Sequence, residues 1–266
     1  MPICPRQVLK RVLKRAEKLG VMPMCGMEFE WFNFAETPQS WADKKACGPT
    51  TITPGMFGYS LLRANANRDF FAALMIEMGD FGVPIEGLHT ETGPGVYEAA
   101  ILFSEALEAG RPRDPVQDRR QGNRRALRHH AELHGQMERA LSGLLGPHPP
   151  VAVRRQEEPR STIAKGANGM SKLFESYLAG PGRRHCMELA PMYWPTINSY
   201  KRLVDGFWAP VKPTWGVDNR TASFRVIAGS PKSTRLETRC PGADMNPYLA
   251  AAAVHRRGPA TASSAR

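Results

Sequence analysis

The chain has 266 residues, 42% of them hydrophobic and 23% charged, the balance of a folded globular protein and not of a disordered one. Its 36 basic and 25 acidic residues leave a formal charge of +11, and no apolar run approaches the roughly 20 residues that would cross a bilayer. The five cysteines are scattered and never spaced Cys-x-x-Cys, which fits reduced thiols in a cytoplasm and argues against a disulfide framework or a zinc site.

Taken in chain order, Pro5–Gly20 carries Val8, Leu9, Val12, Leu13 and Ala16 at helical spacing with Lys and Arg opposite. The pattern predicts an amphipathic helix ended by Gly20. Glu17 and the lack of serine favour a surface helix over a mitochondrial presequence. Met24–Phe34 predicts a strand rich in aromatics. Asn65–Met78 predicts a second helix, with Phe70, Phe71, Leu74, Met75 and Met78 inward. Arg220–Ile227 and Thr234–Cys240 alternate with period two, as strands that face a cavity on one side do. Strands and helices mixed in this way predict an α+β domain without internal repeats.

The positive charge is local. Residues 111–160 hold eleven Arg against six Asp or Glu, and no Lys, Phe, Tyr or Trp. A nucleic-acid surface mixes Lys with Arg and interleaves aromatics, so neither nucleic acid nor a membrane is an expected partner.

Three polar clusters carry the chemistry. Glu28 and Glu30 stand two apart on the predicted strand and leave it on one face, while Met27, Phe29 and Trp31 anchor the other. Two carboxylates sharing a cavity repel unless a cation or a proton intervenes. Glu91 and Glu98 flank a Gly-Pro-Gly turn that brings them back towards one point, with His89 beside them. Hard oxygen ligands from separate segments suit Mg²⁺ or Mn²⁺. The third cluster is cationic: Arg202, Arg220, Arg225, Arg235 and Arg239, with Glu237 between the last two. Arginines on strands bordering a cavity suit carboxylate and phosphate recognition. Acids for a divalent ion with arginines for phosphates describe an ATP-using enzyme on an acidic substrate, and no GxxxxGK[ST] loop is present.

These segments, EFEWFNF, HTETGPGVYEAA, KGANGMSKL, NSYKRLVDGFWAP, DNRTASFRV and RLETRCPGADMNPYLAA, resemble in order the catalytic domain of glutamine synthetase. The resemblance implies a curved antiparallel sheet, or half-barrel, flanked by helices. It also implies a ligase in which ATP phosphorylates the γ-carboxylate of glutamate and ammonia attacks the acyl phosphate. ATP is then the co-substrate, Mg²⁺ or Mn²⁺ the cofactor, a homo-oligomer the expected assembly and the cytoplasm the expected location. By motif, Glu28, Glu91 and Glu98 would hold the metal beside glutamate, and Glu30 and Glu237 the metal between the ATP phosphates. Arg202 would bind the glutamate carboxylate and Arg239 its γ-carboxylate. Arg220 and Arg225 would contact the ATP phosphates and stabilise the transferring group.

The sequence also departs from the family. The metal-binding strand starts near residue 26, so the family's small N-terminal β-grasp domain is expected to be missing from 1–266. Trp208 stands where the family has a flap glutamate, which leaves a glutamate–amine ligase or an inactive remnant as alternatives. The HIHQS motif is lacking from 111–164, where His129, His130, His134 and His148 are the histidines present. The Arg-rich stretch 111–157 reads as translated out of frame: GLLGPHPPV, read one base later, can give Gly-Cys-Ser-Gly-His-Ile-His-Gln-Ser. The tail 251–266 and GRRHC look like shorter instances. Such a segment is expected to be disordered or misplaced, leaving sheet edges open.

Overall fold

The computed structural model describes residues 3–110, 130–132, 150–155, 168, 170–180, 186–206, 208–230 and 233–256. The chain opens with α1 (Pro5–Glu17), which buries Leu9, Val12 and Ala16 and leaves its cations outside. Strands β1 (Val21–Cys25) and β2 (Glu28–Phe34) follow, then the short helices α2 (Pro38–Asp43) and α3 (Leu61–Ala66) and the longer α4 (Arg68–Asp80). Next come β3 (Ile85–Thr90), β4 (Val96–Ile101), β5 (Ser104–Glu105), α5 (Ala106–Ala109), β6 (His130–Glu132) and β7 (Pro150–Arg155). Helix α6 (Lys172–Gly180) is followed by single helical turns over Cys186–Glu188, Ala190–Tyr193 and Ser199–Arg202, and β8 (Trp215–Val217), β9 (Phe224–Ile227), β10 (Arg235–Thr238) and α7 (Pro247–His255) complete the order.

The strands form two sheets, one in the order β5-β1-β7-β10-β9-β8 and one in the order β3-β4-β2-β6. All pairings are antiparallel except β8 with β9. Neither order closes on itself, and the α+β class expected from the pattern is the class found. The predicted strand over Met24–Phe34 is two strands in two sheets, broken at Gly26–Met27. The predicted helix over Asn65–Met78 is likewise α3 and α4, parted at Asn67 and extended at both ends.

Alternation along β2 explains how the core and the polar face separate. Phe29 and Trp31 point into a cluster with Tyr97, Ala99, Phe70 and Leu74, all essentially without solvent. Helices α1 and α7 pack over the same cluster. Asn246 caps α7 by accepting from the backbone N–H of Tyr248 (3.1 Å) and Leu249 (3.2 Å), with Pro247 at the first helical position. Such a cap is worth about 1 kcal/mol. A second cluster, around Phe174, Tyr177, Trp194, Phe224 and Leu236, lies under the larger sheet.

The expectation of open sheet edges at 111–157 is corrected where that stretch is described. The backbone of β7 sits centrally in the larger sheet, pairing with β1 on one side and β10 on the other. Residues 130–132 pair with β2. Main-chain ladders need only N–H and C=O groups, which every residue of β7 supplies except Pro150 at its start, where the N–H is missing. The rest of 111–164, with His129, His134 and His148, GRRHC up to His185 and the tail from residue 257, lies outside the described residues.

Candidate active site

The sheet register builds the site. Glu30 on β2 lies directly opposite Glu98 on β4, and Glu98 lies opposite His89 on β3. Directly opposed antiparallel residues have their Cβ atoms about 4.5–5.5 Å apart, so the three side chains form one row across three strands. Glu91 closes the row from the turn after β3. His89 Nδ1 stands 3.9 Å from Glu91 Oε2, and its Nε2 stands 3.9 Å from Glu98 Oε1. One ligand atom from each of His89, Glu91 and Glu98 falls within 4.8 Å of the others. The turn places Glu91 through a left-handed Gly95 (φ +71°), where a Cβ would meet the Asn33 carbonyl at 2.4 Å.

The row crowds like charges. Burial, then the charges of Glu30, Glu28 and Glu91, push the Glu98 carboxyl up to about 10, and a hydrogen bond with Glu30 acts in the same direction. Burial, then Glu237, pushes Glu28 up to about 7 against the pull of Arg239, Arg235 and Arg220. Glu91 Oε1 accepts from the Thr92 N–H at 2.6 Å, but its buried Oε2 has no donor among the described residues. A buried carboxylate oxygen without a donor, beside two further carboxylates and an imidazole, fits a hard divalent ion such as Mg²⁺ or Mn²⁺.

The arginines lie on the neighbouring sheet. Glu237 on β10 accepts from Arg239 Nη1 at 2.5 Å and from Arg225 Nη1 on β9 at 2.9 Å. Arg225 also pairs with Asp218. These ion pairs raise the Arg225 guanidinium above its usual value in spite of its burial. Arg202 is fully buried, and its two terminal nitrogens donate to the carbonyls of Cys240 (3.1 Å) and Arg239 (2.8 Å). Burial lowers it to about 10. Arg202 therefore braces the strand end that carries Arg239, and only its Nε is left without a partner among the described residues. Arg220 is exposed on the turn before β9, close enough to act on both Glu28 and Tyr59.

The structure thus gathers all nine expected residues into one neighbourhood but regroups the acids. Glu28 was expected with Glu91 and Glu98, and Glu30 with Glu237. Instead Glu30 is the cross-strand partner of Glu98, and the charge that acts most on Glu28 is Glu237. The reason is register: two residues along β2 carries Glu28 past Glu98 to a position opposite Ala100. His89 stands beside Glu91 and Glu98, as the sequence placed it. One residue escaped the motif reading: Tyr59, whose ring lies 4.8 Å from that of His89. Burial, then the Glu91 carboxylate beside its hydroxyl, raises the Tyr59 phenol well above its usual range. Only the Gly58-Tyr59 pair hinted at a special backbone there.

The family profile for the glutamine synthetase catalytic domain matches residues 2–258. The chain belongs to the glutamine synthetase family. Type-1 glutamine synthetase 2 of Dictyostelium discoideum is 44% identical over 266 residues, which span 97% of this chain and 49% of that protein. A glutamate–isopropylamine ligase of a Pseudomonas species is 29% identical, covering 94% of this chain and 54% of its own length. Among solved structures, the GmaS/ADP complex superposes with a TM-score of 0.85 at 25% identity, over 99% of this chain and 60% of the other. The chain spans about half the length of the curated relatives it matches. A catalytic domain of this family is thus the setting of the carboxylate row and its arginines.

Proposed function

We propose that this member of the glutamine synthetase family is an ATP-dependent ligase that joins glutamate to ammonia through a γ-glutamyl phosphate. The observation that carries the reading is the His89–Glu91–Glu98 cluster with its undonated Glu91 oxygen, set beside Glu237 and its arginines. Glu30, Glu91 and Glu98 would hold one divalent ion and Glu28 with Glu237 a second. Bound ions neutralise phosphate oxygens and the carboxylates that otherwise repel each other. Arg220 and Arg225 contact the phosphates and offset the charge of the transferring group, where positioning and charge supply most of the catalysis. Arg239 addresses the γ-carboxylate, and Arg202 serves the glutamate end through its remaining Nε.

The names of the relatives support two acceptors. One is a glutamine synthetase, the other a ligase of isopropylamine. A homo-oligomer in the cytoplasm belongs to the same proposal. So does the out-of-frame origin of 111–157, which resequencing codons 105–165 tests, a base gained or lost being the expected finding.

The enzymatic test is ADP release from ATP with Mg²⁺ or Mn²⁺. It should require both glutamate and ammonium, and Arg220→Ala should lower it at least about a hundredfold. Turnover that ignores glutamate, or none with either ion, refutes the reading.

A further inference from the structure

We infer that Asn33 and Thr53 are positioning residues for a divalent ion: buried behind the acid row, they clamp Gly95 and so fix the turn that carries Glu91. The inference rests on the reading above of that row as a divalent-ion site. Four residues, 92–95, span the turn, and the Glu91 N–H closes it by donating to the Val96 carbonyl at 2.8 Å. Inside the turn the Thr92 N–H donates to Glu91 Oε1 at 2.6 Å, and Oε2 is left facing His89 Nδ1 at 3.9 Å. A tilt of the turn therefore swings the Glu91 carboxylate away from the row.

Gly95 is where the turn is gripped. Its carbonyl accepts twice from Asn33, from the backbone N–H at 2.8 Å and from Nδ2 at 3.0 Å. Its own N–H donates to Thr53 Oγ1 at 3.1 Å. Both polar groups of this left-handed glycine are thus held by buried residues, Asn33 at 0% and Thr53 at 6% exposure. Chemistry also dictates which way the Asn33 amide faces. Its Oδ1 accepts from the Trp31 indole at 2.9 Å, and an indole N–H can only donate. The amide nitrogen is left for the Gly95 carbonyl, which can only accept. Trp31, locked in the core cluster, therefore orients the amide, and the amide orients the turn. An apolar side chain of the same shape would fill either position without the cost of burying a polar group. What the amide and the hydroxyl add is direction, and the group they direct is the carboxylate with the undonated oxygen.

The test titrates Mn²⁺ alone into the full chain by calorimetry, without substrate, and records urea midpoints in parallel. The binding event scored is the one that Glu91→Gln removes. Thr53→Val keeps the shape and loses the acceptor, whereas Thr53→Ser loses a methyl group and keeps the acceptor. Asn33→Asp still accepts from Trp31 but sets an oxygen against the Gly95 carbonyl. Mn²⁺ affinity should fall about five- to tenfold in Thr53→Val and at least about tenfold in Asn33→Asp, and should stay within about twofold of wild type in Thr53→Ser. A packing role predicts the opposite order for the Thr53 pair, so Thr53→Ser binding more weakly than Thr53→Val, or Thr53→Val binding as wild type does, overturns this inference alone. If Asn33→Asp does not fold, the Thr53 pair decides. If wild type binds no Mn²⁺, or Glu91→Gln removes no event, the ion-site reading falls and this inference with it.

Discussion

Replacing Glu237 by Gln is the sharpest probe of the guanidinium side of the site. Glu237 is shared by Arg239, whose side chain is 3% exposed, and by Arg225, at 14%. The substitution keeps the shape and removes the charge. Arg225 retains Asp218, so the cost falls on Arg239, which keeps only the Trp208 carbonyl and has an Nε without a partner among the described residues. Leaving one buried partner of an ion pair uncompensated costs about 3–5 kcal/mol. The lower end applies here, because the amide oxygen can still accept from Arg239. Relief of Glu28, which Glu237 pushes towards protonation, returns a fraction of that loss. A net destabilisation of about 2–3 kcal/mol is expected, read as a lower urea midpoint at unchanged slope. The double variant Glu237→Gln/Arg239→Met should recover part of it, since the stranded charge is then gone. A loss below about 0.5 kcal/mol, or a double variant worse than the sum of the singles, would show that the pair is not desolvated and that this account of Arg239 is wrong.

Glu36 predicts an acid limb of unfolding. Its carboxylate accepts from Lys44, Ser40 and the Thr50 N–H, which hold it down at about 2. Its contribution is therefore complete above about pH 4.5 and is lost as the pH falls towards 2; in Glu36→Gln that part of the denaturation profile should flatten. Glu98, pushed up by burial and its acidic neighbours, is protonated at pH 7. Divalent-ion binding should therefore release about one proton at neutral pH and tighten as the pH rises, which calorimetry in buffers of different ionisation enthalpy measures; binding without proton release would contradict the raised value. In the core, Leu9→Ala should cost about 2–5 kcal/mol, because Leu9 is fully buried between α1 and its neighbours. A loss under about 1 kcal/mol would mean that α1 is not docked.

The parts of this structure legible in the sequence are those set by local period. The alternation of Glu28 and Glu30 with Phe29 and Trp31 exposes the face of β2 directly, and α1 declares its buried stripe through Leu9, Val12 and Ala16. What the sequence hides is non-local. Met24–Phe34 reads as one run because Gly26 and Met27 carry no strong stop signal, and only sheet pairing reveals that β1 and β2 belong to different sheets. The choice of partners among five glutamates depends on β2 meeting β4 with Glu30 opposite Glu98, a register that no spacing within either segment encodes. The left-handed backbone at Tyr59 and Trp208 was hidden for another reason. A positive φ at an aromatic residue is imposed by tertiary contacts and opposes local preference.

The row His89–Glu98–Glu30 has a consequence for how this site can change over time. Its members are lined up by hydrogen-bonded pairing of three strands, so their spacing can vary only in whole steps of the ladder. A substitution in these strands grades the site's affinity. The gain or loss of one residue within β3, β4 or β2 turns every downstream side chain to the opposite face and abolishes the site at once. The sheet thus tolerates drift in chemistry and forbids drift in length. Lineages of this chain should accordingly show length variation in the connection between β2 and β3 and constant length from His89 to Glu98.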